Sequence, residues 1–220
     1  MIDGLHVSHD AEGVVVRTAT PLLAVSSAVA GGGIGPAAAI VNVHVTKHGS
    51  LEAARATLEA FVRRRGVPTP YVGLLTGAAT EKAEVEVARH RGLAALAVVT
   101  VGLSNRVTAG VSPAVAAAPA STINTIVVVD ADAEHAALVN AVITVTEVKT
   151  LALVEAGVTG AGGRVATGTS TDAVVIAATG RGARERFGGP VSDLGWVVAQ
   201  AAGPALRRGI ARWQAERADA

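Results

Sequence analysis

Valine-rich runs that follow one another without an intervening helix constrain the fold of this chain more than any other feature. The first four cover residues 4–8, 13–18, 22–30 and 40–46, and only glycine, proline or charged residues separate them. This pattern predicts strands joined by hairpins. Later runs of strand character cover residues 71–75, 83–88, 94–103 and 124–129 and the segment that ends at Ala178. Because strand and helix do not alternate, we predict an α+β fold with a mixed, largely antiparallel sheet, or two packed sheets.

Residues 51–65 predict the clearest amphipathic helix. Ser50 is placed to cap its N-terminus, and Gly66 follows its last turn. The apolar residues that recur at helical spacing on one face are Leu51, Ala54, Leu58, Phe61 and Val62.

Two further helices complete the predicted cover of the sheet. A long helix should run from about residue 133 to residue 156, capped by Asp132. A last helical region should begin near Ser192. Pro204 should kink or divide it, because proline lacks the amide hydrogen that a helix interior needs.

The length and composition of the chain indicate one domain over residues 1–220. With 220 residues and 50% hydrophobic content, the chain can bury one sizeable core. Aromatic residues make up only 2% of it. The core must therefore be built from valine, alanine, leucine and isoleucine, which favours thin, closely packed layers.

Composition also argues against several classes of function. A net charge of +1 without a long basic run disfavours nucleic-acid binding, which needs clustered lysine or arginine. The absence of cysteine removes thiolate nucleophiles and thiolate metal ligands. The N-terminal residues do not resemble a signal peptide, and no apolar run is long and unbroken enough for a membrane span. We expect a soluble cytoplasmic protein that does not bind membranes.

The segment 166–178 concentrates chemical groups in one loop. Three threonines and a serine, each able to donate and accept a hydrogen bond, precede a carboxylate and an apolar strand. The residues concerned are Thr167, Gly168, Thr169, Ser170, Thr171 and Asp172. Capping of the turn by these side chains is the structural alternative to a catalytic role.

His44 is the histidine of most interest. It follows Asn42 on the same face of a predicted strand. His48 lies four residues on, which is roughly 13 Å along a strand, so the two histidines cannot share a metal ion unless the strand ends between them. We assign no metal ligands, and a hydrogen-bonded structural role for His44 remains the alternative.

The long helix carries two polar residues of interest on nearly opposite sides. A rotation of about 100° per residue places Glu147 in one sector with Asn140 and Thr144, while Lys149 falls among apolar residues. A lysine in such a sector either extends to solvent or neutralises a buried acid. At most one of the two residues should contact a substrate directly. We favour Glu147 for the site, and the alternative is that its polar sector is the solvent-exposed face of the helix.

Five separated motifs, taken in order, carry a family resemblance. They are residues 22–33, 72–79, 99–105, 124–153 and 166–178. In this order the chain resembles the adenosylcobinamide amidohydrolases over roughly residues 5–203. The resemblance implies hydrolysis of the amide that joins aminopropanol to the propionate of the corrin ring, giving adenosylcobyric acid. It implies a corrinoid substrate, and no cofactor can be assigned.

Amide hydrolysis needs an activated nucleophile, a stabilised oxyanion and a proton for the leaving amine. No serine nucleophile elbow is present. We predict that Asp172, with Glu147 or His44, orients or deprotonates water, and that Thr169, Ser170 and Thr171 stabilise the oxyanion. The predicted substrate-binding residues are Ser26, Ser27, Gly31, Gly32, Gly33, Asn42, Asn105, Asn124, Thr167, Gly168 and Lys149.

Asp172 should be the carboxylate on which activity depends most. Replacing it with asparagine should lower kcat by roughly 100-fold with little change in melting temperature. Two other functions stay open at this point. One is a non-catalytic corrinoid-binding protein. The other is an N-terminal-nucleophile hydrolase that cleaves itself before Thr167, Thr169 or Thr171.

Overall fold

Strands fill most of the N-terminal part of the chain, and two of its three long helices lie in the C-terminal part. The computed structural model describes residues 1–46, 50–114 and 121–218. The strands are β1 Leu5–His9, β2 Gly13–Ser26, β3 Gly33–His44, β4 Tyr71–Thr76, β5 Glu84–His90, β6 Leu93–Val101, β7 Arg106–Val107, β8 Ile123–Val129, β9 Asp132–Ala133, β10 Gly168–Thr169, β11 Ala173–Ala178 and β12 Arg184–Glu185. The α-helices are α1 Leu51–Arg64, α2 His135–Glu155 and α3 Asp193–Ala218.

One eight-stranded sheet holds the longer strands. Its order is β4-β3-β2-β11-β8-β6-β5, and β1 pairs with β2 off this path. The pairs β3–β4 and β8–β11 are parallel, and the others in this sheet are antiparallel. The predicted α+β class with a mixed, largely antiparallel sheet is confirmed.

The sheet folds over itself into two packed layers. The register between β2 and β3 shifts between Arg17 and Leu22. The part of β2 before this shift pairs with β1, and the part after it pairs with β11. A buried apolar core joins the two layers, with Val14, Val16, Ile40, Val72 and Leu74 from one and Leu96, Val98, Ile126, Val128 and Val175 from the other.

Helices cover the outer face of each layer. The α1 helix, capped by Ser50 as predicted, buries Leu58, Phe61 and Val62 against β2 and β3. The α2 and α3 helices cover the other layer with a core rich in alanine and valine. A side chain at Gly195 of α3 would overlap the Gly189 carbonyl, so the chain packs too closely there for any Cβ. The small residues of the sequence thus serve a four-layer α-β-β-α arrangement.

Two local predictions are wrong. The runs 13–18 and 22–30 are not two strands but belong mainly to β2. Pro21 lies at the register shift, where its missing amide hydrogen is tolerated.

Asp132 does not cap α2, because it pairs with Arg184 in a short parallel ladder. The N-cap is Glu134, which makes no side-chain cap bond.

Pro204 does not divide the last helix. The α3 helix runs through it from Asp193 to Ala218. Residues on both sides of the proline, including Ala201 and Leu206, are buried in the core. Tertiary packing therefore overrides the local cost of the proline.

Of the described helices, α2 alone is long and apolar enough to span a membrane by length and composition. One side of it packs against α3 and β11. The other side exposes four large apolar residues, Val139, Ile143, Leu151 and Val154.

Candidate active site

Asp172 lies immediately before β11 and faces the helices. Side chains alternate along a strand, and Val174 and Ile176 of β11 pack in the core beneath α2 and α3. Asp172 shares their side of the sheet and meets Lys149 of α2. The Lys149 Nζ donates to Asp172 Oδ2 over 2.5 Å, and the two side chains are 10% and 12% exposed. A nearly buried ion pair thus joins the helix to the loop.

The Asp172 carboxylate accepts four hydrogen bonds. Its Oδ1 accepts from the Ile123 amide at 3.0 Å and, in a very short contact, from the Thr169 hydroxyl. Its Oδ2 accepts from Lys149 and from the Thr169 amide at 3.1 Å. A carboxylate offers about four lone-pair sites, so all of them are occupied. Asp172 can bind a water molecule only by releasing one of these partners.

Gly168 makes this close approach possible. A Cβ at residue 168 would overlap Asp172 Oδ2 and would lie 2.8 Å from Lys149 Nζ. Any side chain here would push the lysine and the carboxylate apart. The glycine before Thr169 is therefore required by the geometry of the ion pair.

A second polar cluster lies on the other side of the sheet, between its two layers. Asn42 of β3 donates to Thr100 Oγ1 of β6 at 2.9 Å. Asn124 of β8 donates to Asn42 Oδ1 at 2.8 Å and to the Leu75 carbonyl at 2.9 Å. Asn42, Thr100 and Asn124 are all almost fully buried. These contacts close one end of the apolar core with amide and hydroxyl groups.

Thr122 links the two clusters. Its hydroxyl donates to the Thr171 carbonyl at 2.7 Å and contacts Asn124 Oδ1 at 3.2 Å. The Thr171 hydroxyl in turn donates to the Ser121 carbonyl at 3.0 Å. The loop that carries Asp172 is thereby fixed to β8, which is the rigid support that a reacting group needs.

A cavity of about 290 Å³ opens beside this loop. Thr171 and Asp172 form its polar end, together with Ser27, whose hydroxyl accepts from the Val174 amide at 3.1 Å. The remaining walls are apolar: Val29, Leu51, Ala54, Leu74, Leu75 and Ala173. An apolar cavity with a few convergent polar groups is the usual form of a small-molecule site.

Comparison with protein families decides the identity of the chain. The model of the adenosylcobinamide amidohydrolase family matches residues 1–218. The chain belongs to this family. It is therefore a hydrolase that acts on an amide bond, as the five sequence motifs predicted. A search of curated proteins found no match.

Solved structures share the fold at low sequence identity. The PH0078 protein from Pyrococcus horikoshii OT3 aligns with a TM-score of 0.51 and 14% identity, over 96% of this chain and 85% of that one. A β-aminopeptidase from Burkholderia sp. gives 0.49 and 13%, over 95% and 84%. The L-aminopeptidase D-Ala-esterase/amidase from Ochrobactrum anthropi gives 0.43 and 14%, over 94% and 83%. The first of these supports the α+β architecture of the amidohydrolase.

Two predicted catalytic residues of the amidohydrolase lie away from Asp172. His44 ends β3, its Nδ1 lies 3.0 Å from the Ala78 carbonyl, and it lines a separate cavity beside Glu12. His48 lies outside the described residues. Glu147, which the sequence favoured for the site, is exposed on α2 and belongs to the solvent face that was the alternative. Within the described residues no group of three histidine, cysteine, aspartate or glutamate side chains forms a metal site.

The backbone geometry at residues 31–33 requires the glycines that were predicted to bind substrate. A Cβ at Gly31 would overlap the Tyr71 carbonyl, and a Cβ at Gly32 would lie 2.6 Å from the Ala28 carbonyl. Gly33 has a φ of +95°, which other residues rarely adopt. These glycines allow the loop after β2 to lie close against β4.

Other predicted residues lie at the edge of the site. Asn105 Nδ2 donates to the exposed Ser170 hydroxyl at 2.8 Å. The Thr167 hydroxyl accepts from the Ala109 amide at 2.9 Å, and Ser26 Oγ accepts from the Ala28 amide at 2.9 Å. The structure thus brings the hydroxyl loop, Lys149 and both buried asparagines into one region.

Sequence reasoning missed Ser121, Thr122 and Thr100. Each is a buried polar residue in or beside an apolar strand. Such residues need partners when buried, so a polar residue in or beside an apolar run is the signal that could have found them.

Proposed function

We propose that this amidohydrolase cleaves the aminopropanol amide of adenosylcobinamide at the Asp172 cluster, with the Thr169 hydroxyl as the nucleophile. The observation that carries the proposal is the hydrogen bond that Thr169 Oγ1 donates to Asp172 Oδ1. A carboxylate whose lone pairs are all occupied does not orient water directly. It can accept the proton of the hydroxyl that already donates to it.

The first half-reaction transfers the acyl group to the enzyme. Thr169 Oγ forms a bond to the carbonyl carbon of the substrate amide, and its proton passes to Asp172. The bond from that carbon to the aminopropanol nitrogen then breaks, and the nitrogen leaves with the proton. In the second half-reaction Asp172 takes a proton from the water that attacks the ester carbonyl. The bond to Thr169 Oγ then breaks, Thr169 recovers that proton, and the propionate of adenosylcobyric acid is released.

Lys149 and Asp172 act together in this scheme. The ammonium group holds one carboxylate oxygen, so that the other stays aimed at Thr169. Its positive charge also offsets the negative charge of Asp172 in a nearly buried site. We assign no chemical step to His44 or Glu147, because both lie outside this cluster.

The oxyanion needs donors beside Thr169. We assign this role to the exposed Ser170 hydroxyl, because the amides of Thr167, Thr169 and Ser170 already donate within the protein. Such a donor contributes roughly 2.7–4 kcal/mol in other hydrolases. The substrate-binding roles predicted for Ser27, Asn105 and the other residues named in the sequence analysis are part of this proposal.

The direct test is to incubate the purified protein with adenosylcobinamide and to measure the products by mass spectrometry. We expect adenosylcobyric acid and free aminopropanol. A non-catalytic corrinoid-binding protein would return adenosylcobinamide unchanged. Asp172→Asn serves as the control for contaminating hydrolases, because it should form product at least about 100-fold more slowly.

We also propose that residues 1–220 form one domain of a cytoplasmic protein that binds neither nucleic acid nor membranes. A single calorimetric unfolding transition is expected for such a domain. Fractionation of cells, and binding assays with DNA, RNA and lipid vesicles, test the other parts.

A further inference from the structure

A second cavity, of about 530 Å³, lies next to the cavity at Asp172. One wall of it is the chain from Ala28 to Gly32, and Tyr71 also lines it. Val29 lines both cavities. The two spaces therefore adjoin along one segment, which continues from Ser27 at the polar end of the site.

The α1 helix borders both spaces. Leu51 and Ala54 line the cavity at Asp172, and Arg55 and Glu59 line the second cavity. With a rise of 1.5 Å per residue, the helix extends about 12 Å from Leu51 to Glu59. A substrate seated at Asp172 must span roughly this length to reach the second cavity.

Arg55 and Glu59 are both exposed on α1. Neither forms a side-chain hydrogen bond or an ion pair with any residue in the ranges that the structure describes. A spacing of four on a helix would permit a pair between them. Other arginines of the protein, such as Arg64 and Arg208, do bind carboxylates. A free donor and a free acceptor thus face the same cavity.

Tyr71 adds a hydroxyl that stays protonated. Burial raises the pKa of Tyr71, and the negative charge of Glu59 raises it further. The hydroxyl is therefore protonated at neutral pH and can donate a hydrogen bond. The cavity thus offers two donors, Arg55 and Tyr71, and one anionic acceptor, Glu59.

We propose that this second cavity binds a primary carboxamide at the periphery of the corrin ring. The carboxamide oxygen accepts from Arg55, and its NH₂ group donates to Glu59. A free carboxylate would satisfy Arg55 but would be repelled by Glu59. Holding one carboxamide here determines which of the ring's other amide arms reaches Thr169. Arg55 and Glu59 are thus specificity-determining residues, an inference that rests on the proposed function.

The test uses adenosylcobyric acid as the probe, because it retains the ring carboxamides but no longer contains the amide that is cleaved. Its Kd is measured by equilibrium dialysis for the wild type, Arg55→Met and Glu59→Met. Arg63→Met and Glu52→Met are matched controls, since both residues are exposed on α1 and line neither cavity. Far-UV circular dichroism checks that each variant is folded.

We expect Kd to rise about 10-fold for each of the two cavity variants, on the scale of one lost hydrogen bond to a charged group, and to stay unchanged for the controls. With adenosylcobinamide, KM should rise while kcat changes little. Unchanged Kd values in both cavity variants, or equal increases in the controls, would overturn the subsite. Failure of the wild type to hydrolyse adenosylcobinamide while it binds the probe would overturn only the proposed function.

Discussion

Lys149 of α2 and Asp172, just before β11, form an ion pair of 2.5 Å that is almost closed to solvent. Removing two charges from water is costly, and their mutual attraction recovers that cost only when both are present. The lysine belongs to the buried side of its helix. Of the two alternatives that its position left open, it neutralises a buried acid rather than extending to solvent.

The first prediction concerns the stability of this pair. Lys149→Met and Asp172→Asn should each lower the free energy of unfolding by about 3–5 kcal/mol, because each leaves one charge or polar group unpaired. The double variant should lose less than the sum. Urea unfolding of the four proteins measures this coupling. Strict additivity would show that the pair contributes nothing.

This expectation revises the one drawn from sequence, in which Asp172→Asn left the melting temperature nearly unchanged. Sequence does not show what a loop carboxylate contacts. Because Lys149 lies against it, activity and stability must be measured separately, with kcat expressed per folded molecule.

The second prediction compares the two polar residues of α2. Glu147→Gln should keep kcat within about two-fold of the wild type, since Glu147 is exposed and takes no part in the Asp172 cluster. Lys149→Met should lose at least about 100-fold. Steady-state kinetics on the folded variants measures both kcat values. Full activity of Lys149→Met beside an inactive Glu147→Gln would reverse the assignment of the helix faces.

The geometry of the helix could be predicted, but not which of its faces meets the site. A rotation of 100° per residue places Glu147 and Lys149 on nearly opposite sides. The choice between the sides depends on which one packs on the sheet. Because α2 carries apolar residues such as Val139 and Ile143 on its exposed side too, the sequence gives no clear apolar stripe from which to choose.

The positions of the strands along the chain and the α+β class could be predicted from the sequence. Valine-rich runs bounded by glycine and proline reflect local backbone preferences. The folding of the sheet into two layers depends instead on contacts between distant residues. The bond between Asn42 and Asn124 joins strands from the two layers, and no local pattern encodes it.

The third prediction concerns Gly168. Gly168→Ala should lower both kcat and stability, because the new methyl group would overlap Asp172 and crowd Lys149. A loss of about 1–3 kcal/mol in unfolding free energy is the usual scale of such overpacking. Gly35→Ala is the matched control, since its Cβ would meet no atom within 4 Å. Equal behaviour of the two variants in thermal unfolding would contradict the close contact.

The fourth prediction concerns the covalent state of the active enzyme. A threonine hydroxyl that uses Asp172 as its base has no need of a free α-amino group. The active protein should therefore have the intact mass of 21.9 kDa. Two fragments that separate before Thr167, Thr169 or Thr171 in electrospray mass spectra of active enzyme would instead identify a self-processing hydrolase.

The turnover number of Thr169→Val, measured beside Thr169→Ser, tests the proposed nucleophile most directly. Valine keeps the shape of threonine but removes the hydroxyl, whereas serine keeps the hydroxyl. We expect Thr169→Val to lose at least about 1000-fold in kcat on adenosylcobinamide, the scale of a lost nucleophile, while Thr169→Ser retains measurable turnover. If folded Thr169→Val keeps kcat near the wild-type value, Thr169 is not the nucleophile and the proposed mechanism is wrong.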